Sequence, residues 1–599
     1  MRRLLLGLAA LALATASAAA PAAGFLGTKG TQIVDGDGKP VILRGMGLGG
    51  WMLQEGYMLK LGELGQQHVI HRRLADLAGQ DAVDDFERAW LDHHMTKADM
   101  DALGRWGFNS VRLPMHYALF LDPSASAGTN RWNEDGFRRV DRLLDWAAAN
   151  RMWVILDLHA APGGQGSDLA ISDRDPKQPS LWDSAENQRR TVALWREIAR
   201  RYAGNPWVGG YDLVNEPNWD FDGPGGGHGC NDKSNQPIAA LYKRITAAIR
   251  EHDRNHLIVI EGNCWGNNYA GITPDWDDKL VLSFHKYWNR NDDASITGIV
   301  KLRATTGRPI WLGESGENSN GWFRDAIRLA ETNHIGWSWW PLKKLGFNNP
   351  LEVVPNPGWQ RIVDWLTGKG PRPDAAEARA AMLQLATHDV DFANNGVHPD
   401  LVDAMMRQPH SDRALPFREH RLGAGALEIA AVDYDLGPPG VAYVDRVDAD
   451  YHTETGGKRT EWNDGRTYRN DGVDIARESD GTPYVTAFER GEWMQYTLDA
   501  SEAGPRPATL IVAADAPASL SLSVNGGAPV GVPVQAGGGW QAVPVPPLSI
   551  FQGTNRLKVA VTSGTVRLKA IRFPLSSPTR SGRGGPGRSP REDCRPRCW

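Results

Sequence analysis

Eight short apolar segments, spread over residues 40–370, constrain the fold of this chain more than any other sequence feature. Amphipathic runs, with apolar residues three and four positions apart, separate these segments. The predicted strands are 41–44, 110–113, 153–158, 210–214, 257–260, 281–284, 310–313 and 335–339, and the predicted helices include 135–150, 184–203, 236–252 and 321–332. Strands that alternate with helices predict an α/β fold, and eight of them predict a parallel sheet closed into a (β/α)8 TIM barrel. An open doubly wound sheet is the alternative, but no Gly-x-Gly-x-x-Gly motif follows the first strand.

Polar or aromatic residues stand where seven of these strands end. In a (β/α)8 barrel the functional residues lie at the carboxyl ends of the strands. The residues at the predicted ends of strands two to eight are Arg112, His159, Asn215, Glu216, Trp265, His285, Lys286, Tyr287, Glu314 and Trp340. One such residue would be explained as a satisfied structural group, but the coincidence on seven strands is not. We therefore predict a functional site at this end of the barrel.

Two glutamates at these strand ends suit the cleavage of a glycosidic bond. Glu216 follows strand four and Glu314 follows strand seven, so they face each other across the barrel mouth. Such cleavage needs one carboxylic acid to protonate the leaving oxygen and a second carboxylate to activate water or to attack the anomeric carbon. A separation of about 5–5.5 Å between the two would give retention of configuration through a covalent intermediate.

The neighbouring residues have plausible supporting roles. Asn215 is expected to hydrogen-bond a sugar 2-hydroxyl. Tyr287 is expected to donate to Glu314, and Arg112 to lower the pKa of that carboxylate. The two histidines, His159 and His285, are either donors to sugar hydroxyls or to the acid/base, or structural residues. Trp340 and Trp265 offer flat apolar rings, on which sugar rings stack.

The barrel residues resemble glycoside hydrolase family 5, the cellulase-type family of a larger retaining clan, over residues 30–370. The family pattern has Arg on strand two, His after strand three, Asn-Glu-Pro after strand four, His-x-Tyr after strand six, Glu after strand seven and Trp on strand eight. It is matched in order by Arg112, His159, Asn215, Glu216, His285, Tyr287, Glu314 and Trp340. The resemblance implies a retaining glycosidase with Glu216 as acid/base and Glu314 as nucleophile.

Substrate preference stays open within that resemblance. Residues 43–55 are similar to the Gly-Gly-Trp-Leu-x-x-Glu stretch of the family's exo-β-1,3-glucanase branch, in which the glutamate binds the non-reducing-end glucose, so Glu55 is implied in substrate binding. Residues 56–95 do not follow that branch, and strand eight ends in Trp339-Trp340-Pro341-Leu342-Lys343 rather than Trp-x-Trp-Lys. The expected activity is that of an endo-β-1,4-glucanase, with an exo- or endo-β-1,3-glucanase or a mannanase as the alternative. A non-catalytic polysaccharide-binding protein is a more remote alternative, and it would predict loss of a catalytic glutamate.

The chain is expected to contain a second folded domain. After the catalytic domain, residues 24–370, a helical extension and linker covers 371–425. Residues 426–575 then have short alternating strands and many glycines, which predict a β-sandwich of the jelly-roll type. The Ser/Pro/Gly/Arg-rich stretch 576–599 is typical of a disordered tail.

The predicted sandwich resembles a family 6 carbohydrate-binding module. The matching segments are 432–435, 440–443, 468–475, 491–496 and 538–541. The resemblance implies an aromatic clamp on the sugar made by Tyr468 and Trp540. The glutamates that bind calcium in that family are replaced by Ala430 and Val432, and its sugar-binding asparagine aligns with Lys569. No cofactor and no metal are therefore predicted, and a sandwich that only supports the barrel is the alternative.

The N-terminus predicts export. Two arginines, an apolar run from Leu4 to Ala14 and a small-residue stretch form the layout of a secretory signal peptide, residues 1–23. Export permits disulfides, and among Cys230, Cys264, Cys594 and Cys598 the first two are the candidate pair. A zinc site is the weaker interpretation, since neither cysteine of this pair stands in a Cys-x-x-Cys or Cys/His cluster.

The composition narrows the partners. The net charge of −5 gives no indication of nucleic-acid binding. After removal of the signal peptide no segment is apolar and long enough for a membrane. The expected partner is a polysaccharide, a β-glucan, and the mature protein is expected to be a secreted monomer in the extracellular space or periplasm.

Overall fold

The computed structural model describes residues 24–225, 227–287, 289–446 and 467–575 of the chain. The predicted signal peptide, the predicted tail, Cys594 and Cys598 lie outside the described residues. The chain divides into two compact units, one made of Met1–Ala414 with Leu436–Ala476 and the other of Leu415–Asp435 with Arg477–Trp599. Within the described ranges, every helix is too short or too polar to cross a membrane.

The first unit contains a closed barrel of eight parallel strands, as the sequence predicts. The strands are β1 Arg44–Gly47, β2 Ser110–His116, β3 Trp153–Ala160, β4 Val208–Asp212, β5 Leu257–Glu261, β6 Leu280–Lys286, β7 Ile310–Gly316 and β8 Gly336–Trp340. Strand β8 pairs in parallel with both β7 and β1, which closes the sheet. The TIM-barrel prediction is confirmed. The first strand begins at Arg44, three residues later than expected.

Helices lie between successive strands of the barrel, and further helices follow its last strand. Their bounds are α1 Gln67–Ala78, α2 Gln80–His93, α3 Lys97–Trp106, α4 Glu134–Ala149, α5 Ala185–Tyr202, α6 Gln236–Arg250, α7 Asp293–Thr306, α8 Asn320–Thr332, α9 Pro357–Leu366, α10 Ala375–Gln384 and α11 Pro399–Met406. Local sequence sets several of the starts. The Ser184 side chain accepts the backbone N–H of Asn187, and Thr96 and Asp99 form a capping box at α3.

The barrel interior changes from apolar to charged along the strands. Side chains alternate between the two faces of a strand, so residues two apart on β3 point the same way. Near its amino end, Trp153 and Ile155 belong to an apolar cluster with Trp311 and with Leu26, which directly precedes the hairpin Gly27–Lys29 and Gln32–Val34. Further along the same face, Asp157 is fully buried beside charged neighbours. The charged layer lies directly under the barrel mouth.

The segments that depart from the related branch form a helical side layer. Residues 56–93 fold into the turn Gly56–Leu59 and helices α1 and α2. Apolar residues of α1 and α2 share one cluster with residues of α9 and α10. The short strands Lys343–Leu345, Leu351–Val353 and Gly396–Val397 form a separate three-stranded sheet. The predicted helical character of 371–425 thus serves to cover α1 and α2.

The second unit is a β-sandwich, which confirms that part of the fold prediction. Its strands are β9 His420–Leu422, β10 Leu427–Ala430, β11 Pro483–Glu489, β12 Trp493–Ala500, β13 Gly504–Ala513, β14 Ala518–Val524, β15 Val530–Val534, β16 Gln541–Ile550, β17 Gly553–Ser563 and β18 Thr565–Phe573. One sheet has the order β9-β12-β17-β14-β15, and the other has β11-β18-β13-β16 with β10 beside β18. In β14 the residues Leu520 and Leu522 are buried and alternate with serines, the pattern expected of a strand with one wet face. Two shorter strands, Tyr443–Val444 and Ile475–Arg477, precede β11.

Candidate active site

The carboxyl ends of the barrel strands surround a cavity of about 650 Å³. Its lining residues are Glu55, Tyr57, His159, Asp168, Ile171, Glu216, Trp265, Asn267, His285, Tyr287, Asn289, Glu314, Glu317 and Trp340. Eight of the ten residues predicted to act in catalysis or substrate binding in the barrel, Glu55 included, are among them. The other two, Arg112 and Asn215, are fully buried behind the lining and contact it through hydrogen bonds.

Glu314 is held by donors on both carboxylate oxygens. It stands near the end of β7, where the strand points into the cavity. The Arg112 guanidinium lies 2.5 Å from Oε1, and the Tyr287 hydroxyl donates to Oε2 at 3.2 Å. Charge-assisted hydrogen bonds of this kind fix geometry as well as adding attraction. The carboxylate therefore has one defined orientation toward the cavity.

Glu216 combines an unusual backbone conformation with a buried side chain. Its φ angle of +43° lies in the left-handed region that residues with a side chain rarely adopt. The carboxyl oxygen Oε1 lies 2.6 Å from Nδ1 of His285. Burial raises the pKa of Glu216, although His285 acts in the opposite direction. A carboxyl group with a raised pKa is suited to donate a proton near neutral pH.

The two glutamates approach each other closely. One carboxylate oxygen of Glu216, one of Glu314 and a ring nitrogen of His285 all lie within 4.8 Å of one another. In the described part of the chain, no other three His, Cys, Asp or Glu side chains offer ligand atoms so close together. Carboxyl groups about 5–5.5 Å apart are found in retaining glycosidases, whereas inverting enzymes separate them by at least about 6.5 Å.

A buried network of charges supports the pair from below. Beyond Glu314, Arg112 contacts Asp212 at 2.9 Å, Glu261 at 3.1 Å and Asp157 at 3.2 Å. One guanidinium thus faces four carboxyl groups. Burial, and next the charge of Glu261, raise the pKa of Asp212 well above its ordinary value. Burial and the neighbouring carboxylate therefore favour the protonated form of Asp212.

Sequence analysis missed these three acidic residues. Asp157, Asp212 and Glu261 are fully buried in β3, β4 and β5. Each is a charged residue inside an otherwise apolar strand, and isolated buried charges are costly unless they are paired. A carboxylate inside an apolar strand therefore requires a partner such as Arg112. This requirement could have identified the three residues from the sequence.

His159, Trp340 and Tyr57 form one continuous wall of the cavity. The His159 ring lies parallel to the Trp340 ring, with centroids 5.4 Å apart, and its Nδ1 is 2.8 Å from Asp157. The Trp340 Nε1–H donates to the Tyr57 hydroxyl at 2.7 Å. Although burial lowers the pKa of His159, Asp157 raises it above the ordinary value. The stacked His159 ring and the hydrogen bond to Tyr57 hold the Trp340 ring on two sides, so the ring can serve as a stacking surface for a sugar.

Asn215 is occupied within the protein. Its Oδ1 accepts from Arg112 at 2.7 Å, and its Nδ2 faces Nε2 of His159 at 3.3 Å. These contacts connect the end of β4, which is followed by Glu216, to Arg112, which contacts Glu314. The predicted contact of Asn215 with a sugar hydroxyl stays a prediction.

Trp265 lines the opposite wall on a cross-linked loop. Cys230 and Cys264 form a disulfide, which confirms the predicted pair. Both Cys264 and Trp265 have positive φ angles, of 57° and 52°. The Trp265 backbone N–H donates to the carbonyl of Pro217, directly after Glu216. The Trp265 ring contacts His228, with ring centroids 4.8 Å apart.

Glu55 and Glu317 are acidic groups at the cavity edge. Glu55 is only 7% exposed, and burial is the main cause that raises its pKa to about 8. Glu55 is therefore largely protonated at neutral pH and can donate a hydrogen bond. Glu317, which sequence analysis did not select, accepts from Lys344 at 2.9 Å. Glu317 follows Glu314 by three residues, and this closeness in sequence could have indicated that it lies at the cavity.

The residues predicted to clamp a sugar lie in different units. Tyr468 belongs to the first unit, is half-buried and has a φ angle of +71°. Trp540 belongs to the second, where its Nε1–H donates to Glu478 at 2.5 Å. Lys569 lies over the Trp540 ring at 4.8 Å, and the Tyr484 ring meets it edge-on at 5.2 Å. Ala430 and Val432 offer no carboxylate for calcium. The clamp stays a prediction.

A (β/α)8 barrel whose mouth holds two close glutamates, one with a raised pKa and one fixed by arginine and tyrosine, defines the class of retaining β-glycosidases. Residues 75–346 match the cellulase family, glycosyl hydrolase family 5, and residues 469–572 match the carbohydrate binding module of family 35. The chain therefore contains a glycoside hydrolase family 5 catalytic domain, followed by a C-terminal carbohydrate-binding module that the family 35 model matches.

The predicted module family, family 6, is wrong and is corrected to family 35 by this match. Alternating strands and turn spacing define a β-sandwich, but they do not distinguish one family of sandwich modules from another. The carbohydrate-binding character of the module agrees with the prediction.

The curated relatives include enzymes with different activities. A β-xylosidase of Phanerodontia chrysosporium is 29% identical over 365 residues, which cover 55% of this chain and 73% of that protein. Endoglucanase C of Acetivibrio thermocellus is 27% identical over 34% of this chain and 53% of its own length. A probable glucan 1,3-β-glucosidase A of Aspergillus niger is 29% identical over 30% of this chain and 42% of its own length. This chain thus spans about half the length, or less, of the last two. Among solved structures, that of endogalactoceramidase aligns with 89% of this chain and 99% of its own at 16% identity and a TM-score of 0.40.

Proposed function

We propose that this protein is a secreted glycosidase that hydrolyses β-glucan with retention, using Glu216 as acid/base and Glu314 as nucleophile. The observation that carries the proposal is the approach of their carboxylate oxygens to within 4.8 Å. That spacing leaves room for an anomeric carbon and its leaving oxygen but not for an attacking water between them.

The reaction proceeds in two displacements. In the first, an oxygen of Glu314 bonds to the anomeric carbon while the bond to the glycosidic oxygen breaks, and Glu216 gives its proton to that oxygen. In the second, Glu216 takes a proton from water, the water oxygen bonds to the anomeric carbon, and the ester to Glu314 breaks. Proton and electron pairs balance over the two steps.

The surroundings of each glutamate fit its role. Arg112 and Tyr287 orient the nucleophile through contacts with its two carboxylate oxygens. Burial raises the pKa of Glu216, which favours the protonated form that the first step requires. Trp340 is proposed as the stacking floor beneath the sugar that is cleaved, and His159 and His285 as donors at its rim.

A β-1,4-linked glucan is the proposed substrate. Endoglucanase C is among the relatives, and the cavity is open along the barrel mouth with aromatic walls at Trp340 and Trp265. Stacking on flat rings suits the apolar faces of equatorially substituted glucose units. The family 35 module is proposed to hold the enzyme on the same polysaccharide.

One observation favours a second candidate, an exo-acting β-1,3-glucanase. The carboxyl group of Glu55 lines the cavity, nearly buried, in a segment similar to that branch. A protonated carboxyl group there could donate to a terminal sugar hydroxyl, as a pocket for chain ends requires. Secretion and a monomeric state are proposed from the predicted signal peptide and from the self-contained site.

Two variants test the catalytic assignment. Glu314→Ala should abolish turnover while the thermal unfolding temperature stays close to wild type, and azide should restore activity with a product of α configuration. Glu216→Ala with azide should instead give the β-glycosyl azide, because azide then replaces water in the second step. Glu251→Ala, which removes a surface ion pair with Arg196, is the control. Near-normal turnover by Glu314→Ala would overturn the nucleophile assignment.

A substrate screen tests the specificity. The purified protein is incubated with cellulose, mixed-linkage glucan, laminarin and mannan, and product sizes are measured. Oligosaccharides of mixed length from cellulose or mixed-linkage glucan are expected. Release of glucose alone from laminarin would support the second candidate, and that activity should then be lost in Glu55→Ala. Cleavage of mannan alone would contradict both.

A further inference from the structure

We propose that Glu261 is a positioning residue for the acid/base: it holds the backbone of Glu216 and keeps His285 directed at one oxygen of the Glu216 carboxyl group. The inference rests on the proposed role of Glu216. Nothing in the family pattern assigns a function to the end of strand β5, and Glu261 was not selected from the sequence. Its contacts, all buried, make the case.

The first contact is with the acid/base backbone. Oε2 of Glu261 accepts the N–H of Glu216 at 2.7 Å. Glu216 has the left-handed φ angle of +43°, which persists only where surrounding structure imposes it. A hydrogen bond from a backbone N–H to an ionised carboxylate is among the stronger ones in proteins. Glu261 therefore stabilises the strained conformation that aims the Glu216 side chain into the cavity.

The second contact is with His285. Its Nε2 lies 3.2 Å from Oε1 of Glu261, an ion-pair contact. On the other side of the ring, Nδ1 lies 2.6 Å from Oε1 of Glu216 and 3.7 Å from Oε2 of Glu314. Three carboxyl groups thus surround one imidazole, an arrangement that favours its charged form.

The charges agree with this geometry. Burial lowers the pKa of His285. The charges of Glu261, Glu314 and Glu216 nevertheless raise this pKa well above its ordinary value. Burial also opposes ionisation of Glu261, but His285 and Arg112 lower the pKa of Glu261 to about 2. Glu261 is thus ionised, and it is the carboxylate with the largest effect on His285.

The consequence concerns where the catalytic proton is carried. A charged His285 donates from Nδ1 to Oε1 of Glu216, so that oxygen cannot carry the acidic proton. The proton must then be on Oε2, the oxygen left to meet the glycosidic oxygen. Glu261 in this way selects which Glu216 oxygen acts, without touching the substrate.

The loop after β5 closes over this contact. A Cβ at Gly266 would lie 3.2 Å from Oε2 of Glu261 and 3.7 Å from Cδ2 of His285. The backbone of Gly266 therefore packs directly against both groups, and its φ of +87° favours glycine. Close packing keeps water away from the ion pair, which strengthens it.

The test exploits the leaving group. Cleavage of phenyl β-cellobioside depends on protonation, because its leaving group is poor. Cleavage of 2,4-dinitrophenyl β-cellobioside depends little on protonation, because its leaving group departs without a proton. If laminarin is the polymer cleaved, the corresponding laminaribiosides are used instead. Glu261→Gln keeps an acceptor for Glu216 but loses the charge. It should lower kcat/KM, which reports the first displacement alone, about 30-fold or more on the phenyl glycoside and less than about 3-fold on the dinitrophenyl glycoside.

Three further variants separate the outcomes. Glu331→Gln is the matched control, because it removes a half-buried glutamate paired with Arg44 at the opposite end of the barrel, and it should affect both substrates equally. Glu261→Asp keeps the charge but withdraws it from Glu216, and should show the same leaving-group dependence if Glu261→Gln fails to fold. Equal loss on both substrates in Glu261→Gln and Glu261→Asp would overturn the proposal.

Glu216→Ala tests the acid/base role of Glu216 separately from the positioning role of Glu261. A leaving-group dependence in Glu216→Ala but not in the Glu261 variants would overturn the positioning role alone. No such dependence in Glu216→Ala would overturn the acid/base assignment and, with it, the inference built on it.

Discussion

Substitution of Gly49 by alanine should disturb the Trp340 ring without touching a charged group of the site. Gly49 follows β1, and a Cβ there would lie 2.5 Å from Cη2 and Cζ2 of Trp340 and 2.9 Å from Cζ3. Carbon atoms in favourable contact are about 3.5–4.0 Å apart. The ring or the loop must therefore move by about 1 Å.

The expected magnitude follows from what holds the ring. Nε1 donates to Tyr57 at 2.7 Å, and the ring lies parallel to His159 at 5.4 Å, so a shift of about 1 Å spoils both contacts. Overpacking of this kind costs about 1–3 kcal/mol of unfolding free energy. A misplacement of about 1 Å in a substrate-positioning group can cost about 10²-fold in rate. We expect kcat/KM to fall about 10–100-fold while the unfolding temperature falls by a few degrees.

The assay is steady-state kinetics on the polymer found in the screen, with thermal unfolding measured in parallel. Gly204→Ala is the control, because a Cβ at Gly204 would meet no atom within 4 Å. Wild-type kcat/KM in Gly49→Ala, together with an unchanged unfolding temperature, would refute the reasoning. It would mean that the loop yields freely and that the Trp340 ring is not held as described.

Three further results are expected. Because burial raises the pKa of Glu216 and the group acts protonated, kcat/KM should be largest on the acidic side of neutral and fall as the pH rises through that pKa; a rate still rising above about pH 8 would contradict this. Replacing Cys230 and Cys264 by serine removes a cross-link between residues 34 positions apart, so the unfolding free energy should fall by about 3–4 kcal/mol. KM should rise because the loop that holds Trp265 is no longer cross-linked. An unchanged KM would contradict a role of Trp265 in substrate binding. Trp540→Ala should weaken retention on insoluble polysaccharide in a pull-down assay and leave kcat on soluble glycosides unchanged; equal retention would show that the module binds elsewhere or not at all.

The barrel and its reacting pair could be predicted because the signals are local and repeated. Each strand carries its own apolar run, and each functional residue follows the strand that presents it, so sequence position translates directly into place at the barrel mouth. Glu216 and Glu314 are far apart in sequence, but their strand numbers alone put them on opposite sides of one cavity. Alternation of buried and exposed residues likewise predicted the sandwich.

Sequence alone therefore determined the fold class of both domains, and it predicted where the site lies and which two glutamates react. Only the tertiary structure decided what surrounds them. The contacts of Arg112 with Asp157, Asp212 and Glu261 join four strands, and no local pattern states which buried charges will meet. A pKa also depends on burial and on charges brought from distant segments, so the protonation of Glu216 and Glu55 followed from packing. Substrate preference depends on loop shapes at the rim, where sequence position does not translate into place.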